Sequence, residues 1–284
     1  MLYQNIQQIQ FDLNVTCNAY CPGCHRYSIF EGEMYLNPHL DFNKSIDVDL
    51  VERAMDNPRV ADEVWIDMVG LVGEPIAHND FLDILDIIYK HRPNAHINIH
   101  TNGGLRTPEF FKQLAHKLTN DAVVQFSVDG LKDTNNIYRV GVIWEKIIEN
   151  VKAFCEAGGN ATWKTIKFPW NEHQLEEIEK FAYSLGVNNF RVERNRDEGA
   201  DRWINKYMSA SKNFHYKTKA PIGIKDPINL SEYSRIENKC FDKGAIYINY
   251  DGRVLPCCMF NAALTDECYM DCLLYTSPSP RDRG

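Results

Sequence analysis

The chain has 284 residues, 44% hydrophobic and 25% charged, the balance of a soluble globular protein long enough to bury a substantial core. Its formal net charge of −8 and pI of about 5.6 argue against a nucleic-acid-scanning surface. No apolar run reaches the roughly 18 residues that a membrane span needs, and Met1 to Gln8 lack the basic end and apolar core of a signal peptide. A cytoplasmic chain without nucleic-acid or membrane partners is therefore expected.

Residues 8–15 read as a first strand, because Ile9, Phe11, Leu13 and Val15 alternate with polar residues. A cysteine-bearing loop follows, then a polar stretch to about Lys44. Val48, Val51 and Met55 place a helix over 47–56, which Asn57-Pro58 ends. A second strand is expected over 64–69, a helix over 81–91, and a third strand over 95–100. Thr107 caps the next helix, with Pro108 at its first position. The pattern then gives a strand over 122–128, a helix over 144–157 stopped by Gly158-Gly159, and a strand over 162–168. A helix over 172–185 and a sixth strand over 189–193 complete the run. Strands alternating with helices define parallel βα units, here a partial (β/α)6 TIM-like barrel occupying residues 1–195. Residues 196–239 read as an irregular connection. Beyond it, Asp251-Gly252 sits between alternating residues as a hairpin turn, opening a small cysteine-rich segment over 240–272. Residues 273–284 have no periodicity and no apolar face, and are expected to be a non-native tail after a truncated motif.

Eight of the nine cysteines fall in two groups, and Cys155 reads as a core filler. In an unexported chain, clustered cysteines bind metal or do redox chemistry more often than they form disulfides. Cys17, Cys21 and Cys24 form C-x3-C-x2-C directly after the first strand. A fully protein-ligated iron–sulfur cluster takes four cysteines, so three imply a cluster with one iron open. Three alternatives compete. Cys21 to His25 fits the C-x-x-C-H of haem attachment, which belongs to exported proteins and has no use for Cys17. A dithiol redox pair needs no second cysteine group. A closed zinc site would take His25 as its fourth ligand. In parallel α/β folds, ligands bind at the C-terminal ends of the strands. Three further clusters fall there: Gly73-Glu74-Pro75, Thr101-Asn102-Gly103, and Ser127-Val128-Asp129-Gly130.

Taken together these motifs resemble the radical S-adenosylmethionine (radical SAM) enzymes. The cysteine loop matches their signature, and Gly73-Glu74-Pro75 resembles the second half of their Gly-Gly-Glu-Pro motif, with Val72 in place of the first glycine. Ser127 to Gly130, followed by Arg139, resembles the fourth-strand segment of the subgroup with auxiliary clusters. The resemblance implies a [4Fe–4S] cluster on Cys17, Cys21 and Cys24 whose open iron binds SAM. Reductive cleavage would yield a 5′-deoxyadenosyl radical that abstracts hydrogen from a substrate. By matching position, Gly73 and Glu74 would meet the SAM amino group, and Ser127 and Arg139 its carboxylate. Thr101, Asn102 and Gly103 would lie beneath the ligand, and Asp129 would belong to the same cofactor-binding segment. Gly23 departs from the pattern: the family usually places an aromatic residue there, and Tyr20 or Tyr27 would have to substitute.

Cys240, eleven residues, Gly252, four residues and Cys257 resemble the opening of the SPASM or twitch auxiliary-cluster domain. Cys258 and Cys268 would be further ligands of that auxiliary iron–sulfur cluster, with a structural zinc knot as the competing reading. The resemblance implies an electron donor such as flavodoxin or ferredoxin and a peptide, protein or small-molecule substrate. The first strand starts almost at residue 1, which leaves no space for an N-terminal leader-binding domain and weakens a self-sufficient peptide maturase. The contrasting reading is a non-catalytic iron–sulfur electron carrier or a zinc-stabilised binding protein.

Overall fold

The computed structural model describes residues 5–30, 33–37, 40–119, 121–195 and 244–255. β1 (Ile6–Phe11) runs into the cysteine loop, and an antiparallel hairpin of β2 (Tyr27–Phe30) and β3 (Glu33–Leu36) follows it. Next come α1 (Val48–Met55), β4 (Val60–Met68), α2 (Phe81–His91), β5 (His96–Thr101), α3 (Pro108–Lys117) and β6 (Val123–Ser127). The single turn α4 (Asn135–Tyr138), α5 (Trp144–Glu156), β7 (Ala161–Lys167), α6 (Leu175–Ser184) and β8 (Asn189–Arg194) continue the alternation. β9 (Ala245–Ile248) and β10 (Val254–Leu255) form the hairpin expected around Gly252.

The main sheet has eight strands in the order β10-β9-β1-β4-β5-β6-β7-β8. The six strands β1 and β4 to β8 are parallel, as the alternation of strands and helices requires. β9 adds to the free edge of β1 in parallel, and β10 pairs antiparallel with β9. The fold is thus the mostly parallel α/β architecture expected from the sequence. No helix among the described residues is long and apolar enough to cross a membrane.

Apart from a register shift between Ile6 and Gln8 in β1, the central strands alternate, and each face has its own chemistry. Ile9, Ile66, Ile99, Phe126 and Trp163 lie on one face, wholly buried with the helices in the main core. Gln8, Asp67, Asn98, His100, Gln125 and Lys164 occupy the other face. Strands of a parallel sheet covered on both faces read as continuous apolar runs. Here only one face packs a core; the other is a polar lumen. Helix starts follow local rules. The Asp47 carboxylate accepts from Asp49 N at 2.9 Å, and Thr107 Oγ1 accepts from Phe110 N at 3.4 Å, each cap contributing about 1 kcal/mol.

Two expectations change. The first strand ends at Phe11 instead of Val15. Leu13 and Val15 stay buried, but the segment leaves the ladder to run beside the loop after β4. Asn14 Nδ2 donates to Glu74 O at 3.0 Å, and Glu74 N donates to Thr16 O at 2.7 Å. The stretch after the cysteines, expected to be merely polar, contains the β2–β3 hairpin.

Candidate functional site

The loop leaving β1 is tightly wound and brings its three cysteines to one cleft. Cys24 N donates to Cys21 O and Tyr27 N to Cys24 O, both at 3.0 Å. Arg26 is buried beneath this loop, donating to Cys17 O and Ala19 O at 3.4 Å, with Tyr27 and Phe42 rings against its guanidinium. Three donors reach the sulfurs. Ala19 N lies 3.3 Å and Asn102 Nδ2 3.5 Å from Cys17 Sγ, and Arg139 Nη1 lies 3.7 Å from Cys21 Sγ. Burial, reinforced by the Glu74 charge, pushes the Cys17 thiol up to about 12, and burial pushes Cys21 up to about 11. Thiols in such surroundings become thiolates when a metal coordinates them.

Among the described residues, no three His, Cys, Asp or Glu groups converge as a single ion requires. The three cysteines, with or without His25, do not meet at one point. The three cysteines instead line one cleft, compatible with a cluster that binds each thiolate through a different iron.

The loop after β4 reaches the cysteines because Gly73 has no side chain. A Cβ there would lie 2.1 Å from Asn14 O, a distance no residue but glycine permits. Pro75 then opens a 3-10 turn, Pro75–Ala77, and Glu74 is left 4% exposed. Its Oε2 accepts from Asn102 N at 2.9 Å, while its Oε1 is buried with no hydrogen-bond partner. Burial raises this carboxyl to about 7. A half-satisfied buried carboxylate calls for a donor, best a cationic one.

Asn102 ties the strand ends together. Besides its bond to Glu74 it donates from Nδ2 to Asn18 Oδ1 at 2.9 Å, and its Oδ1 accepts from Gly104 N at 2.7 Å. Thr101 Oγ1 accepts from Gly103 N at 3.0 Å. After β6 the chain passes through Ser127 to Asp129, which is wholly buried. Asp129 Oδ2 accepts from Arg139 Nε and Oδ1 from Ile166 N, both at 2.6 Å. Asp129, expected among the cofactor contacts, thus stands behind Arg139 and aims it.

Cys17, Cys21, Cys24, Gly73, Glu74, Thr101, Asn102, Ser127 and Arg139 all line one cleft of about 330 Å³ at the C-terminal ends of the strands. Tyr138, His100, Lys164, Ile166 and Glu193 share its wall, and sequence reasoning passed over all five. His100, Lys164 and Glu193 occupy polar alternation positions that only the fold reveals as lumen. Neither Tyr20 nor Tyr27 lines the cleft; among the described residues, Tyr138 is the one Phe, Tyr or Trp on its wall, packed 4.7 Å from Phe168. Cys240, Cys257, Cys258 and Cys268 lie outside the described residues.

A mostly parallel α/β fold with a C-x3-C-x2-C loop and a buried glutamate facing one cleft defines a class, and comparison with known proteins agrees. The radical SAM superfamily matches residues 13–182. The chain belongs to this superfamily, which implies SAM and a [4Fe–4S] cluster as cofactors. The tungsten-containing aldehyde ferredoxin oxidoreductase cofactor-modifying protein of Pyrococcus furiosus is 28% identical over 275 residues, covering 90% of this chain and 72% of that protein. Streptococcus suis SuiB bound to S-adenosylmethionine shares the fold with a TM-score of 0.56 at 18% identity, over 90% of this chain and 59% of SuiB. SuiB bound to precursor peptide SuiA gives 0.60 at 16% identity, over 91% and 61%. Native anSMEcpe with bound AdoMet gives 0.52 at 15% identity, over 70% of this chain and 57% of that one. The chain spans about three fifths of the SuiB length.

Proposed function

We propose that this chain is a radical SAM enzyme of the maturase type. The cluster would sit on Cys17, Cys21 and Cys24, and SAM would lie between it and the ends of β4, β5 and β6. The observation that carries the reading is Glu74 Oε1, a buried acceptor without a donor on the wall shared with the three cysteines. The SAM ammonium is a donor of the required charge. Arg139, aimed by Asp129 through Nε, keeps guanidinium N–H groups for the SAM carboxylate, a geometry suited to a forked donor. Ser127 would add a hydroxyl, and Thr101 and Asn102 would support the ligand from below. Bound together and given one electron from the donor, cluster and SAM would supply a 5′-deoxyadenosyl radical, with methionine as the other product, able to abstract hydrogen.

The chain's own residues do the rest. Arg26 fastens the cysteine loop, and Asn102 holds the strand-end loops in mutual register. The relative from P. furiosus is named for modifying a cofactor, and SuiB has been seen with a precursor peptide. These names support a substrate that is either a cofactor-like small molecule or a peptide or protein. A flavodoxin or ferredoxin as electron donor and an auxiliary cluster on Cys240, Cys257, Cys258 and Cys268 complete the proposal. A non-catalytic iron–sulfur carrier has no use for Glu74 and Arg139 at this cleft.

The test is anaerobic purification and cluster reconstitution, then incubation with SAM and dithionite. Formation of 5′-deoxyadenosine, lost in Cys21→Ala, supports the reading. A fully loaded protein that forms none overturns it.

A further inference from the structure

Among the cationic side chains of the cleft wall, one is partly buried yet has no partner among the described residues. Arg139 is paired with Asp129 at 2.6 Å, and Arg191 with Glu193 at 3.1 Å. Arg26 is engaged by backbone carbonyls and aromatic rings, and Arg194, at the end of β8, is exposed. His100 is held neutral, because burial lowers it to about 4. Lys164 is different. It lies mid-strand on β7, facing the lumen beside Ser127 on β6 and Arg191 on β8. It is partly buried on the cleft wall, and among the described residues its ammonium has no ion-pair or hydrogen-bond partner. The nearby carboxylates of Glu193 and Asp129 act on it electrostatically, but each is bonded to its own arginine.

In the pose proposed above, the charged groups of the cofactor are assigned to other residues, although Lys164 neighbours Ser127 across the strands. The SAM ammonium answers Glu74, and the SAM carboxylate answers Arg139. Lys164 remains over. Below it, the lumen floor is polar and internally satisfied. Gln8 Nε2 and Asn98 Nδ2 donate to the two Asp67 carboxylate oxygens at 2.5 and 2.9 Å, and Gln125 Nε2 donates to Asn98 Oδ1 at 2.7 Å. Such a floor does not select an apolar ligand. An unpaired, partly desolvated ammonium selects an anion.

Resting on the radical SAM reading above, we propose that Lys164 anchors the substrate by an anionic group, a carboxylate or a phosphate, with the polar lumen floor accepting the rest of a hydrophilic molecule or side chain. Burial lowers the lysine's pKa, and a bound anion would reverse that shift.

The experiment compares wild type, Lys164→Met and Lys164→Arg, each reconstituted with cluster and SAM. Saturation-transfer NMR reads binding of three matched probes: phenyl phosphate, phenylacetate and the neutral benzyl alcohol. Wild type should prefer at least one anion over the alcohol, and which anion it prefers separates phosphate from carboxylate. Lys164→Met should weaken that anion about tenfold or more, the size of one charge-assisted contact, while Lys164→Arg retains it. Equal anion binding in wild type and Lys164→Met would overturn the proposal. So would competition between anion and SAM, which would give Lys164 to the cofactor's carboxylate. Should both variants misfold, the wild-type preference and competition measurements still decide. Failure to bind SAM at all would count against the cofactor reading, and the anion comparison without SAM would then judge Lys164 separately.

Discussion

Tyr247 on β9 donates its phenolic O–H to the carboxylate of Asp12, which follows β1, across 235 positions of sequence. The same carboxylate accepts from Leu71 N at 2.8 Å, on the loop that carries Gly73 and Glu74. One buried acid therefore connects the C-terminal hairpin to the proposed cofactor loop. Removing the phenol leaves that acid half-satisfied, at a cost of about 1–3 kcal/mol. Tyr247→Phe should lower the thermal midpoint by several degrees and weaken SAM binding. An unchanged SAM affinity in calorimetry would mean that the hairpin does not act on the loop.

Glu74 predicts opposed effects on stability and binding. Its folded carboxyl titrates at about 7 against 4.5 for the free group. A raised carboxyl pKa gives stability that is full below the unfolded value and lost as pH rises through the folded one. The apo protein should thus lose on the order of 3 kcal/mol between about pH 4.5 and pH 7 from this group. Glu74→Gln should abolish that loss, making the apo variant more stable than wild type at pH 8 but not at pH 4. The same variant should bind SAM at least tenfold more weakly. Denaturant unfolding at both pH values, with SAM titration at pH 8, checks both halves.

Gly73→Ala should be severe for a methyl group. The added carbon meets the Asn14 carbonyl at 2.1 Å, and both segments are tied by the Asn14–Glu74 and Glu74–Thr16 bonds. The loop must lift, which breaks those bonds and costs about 2 kcal/mol or more. Cluster reconstitution on the neighbouring loop should survive, so iron content near wild type with lost SAM binding is the expected pair of results.

Asp129→Asn should disturb Arg139 without touching the cleft. Asn can still accept from Ile166 N but leaves the guanidinium without its counter-charge, and breaking a buried pair from one side costs about 3–5 kcal/mol. The variant should unfold at markedly lower denaturant. Rescue by Asp129→Glu would point to charge rather than shape; equal loss in both would point to the packing at Ile166.

Most of the fold was legible in the sequence because alternation at Ile9, Ile66, Ile97 and Phe126 reports a buried face directly. Alternation reports burial, however, not pairing. Leu13 and Val15 continue the pattern although the chain has left the sheet, so the first strand was read four residues too far. The β2–β3 hairpin escaped because Tyr27 to Leu36 interleaves aromatic and charged residues around a glycine within a stretch read as polar. At the site, Cys17, Cys21, Cys24 and Glu74 were legible because loop chemistry is local and tightly spaced. Lys164 and His100 were not: mid-strand polar residues look alike until the sheet curves and one face becomes a lumen. Asp129 stood in the motif, but its bond to Arg139 was not legible, since that bond depends on the short turn α4.

The parallel pairing of β9 with β1 also bears on the order of assembly. The contact joins segments more than 230 positions apart, and closing so long a loop is paid for late in folding. Until residues 245–255 have left the ribosome, the edge of the strand that launches the cysteine loop has no neighbour, and Asp12 lacks one of its two donors. The loop proposed to hold the iron centre therefore rests on a sheet edge that is completed only when the hairpin docks.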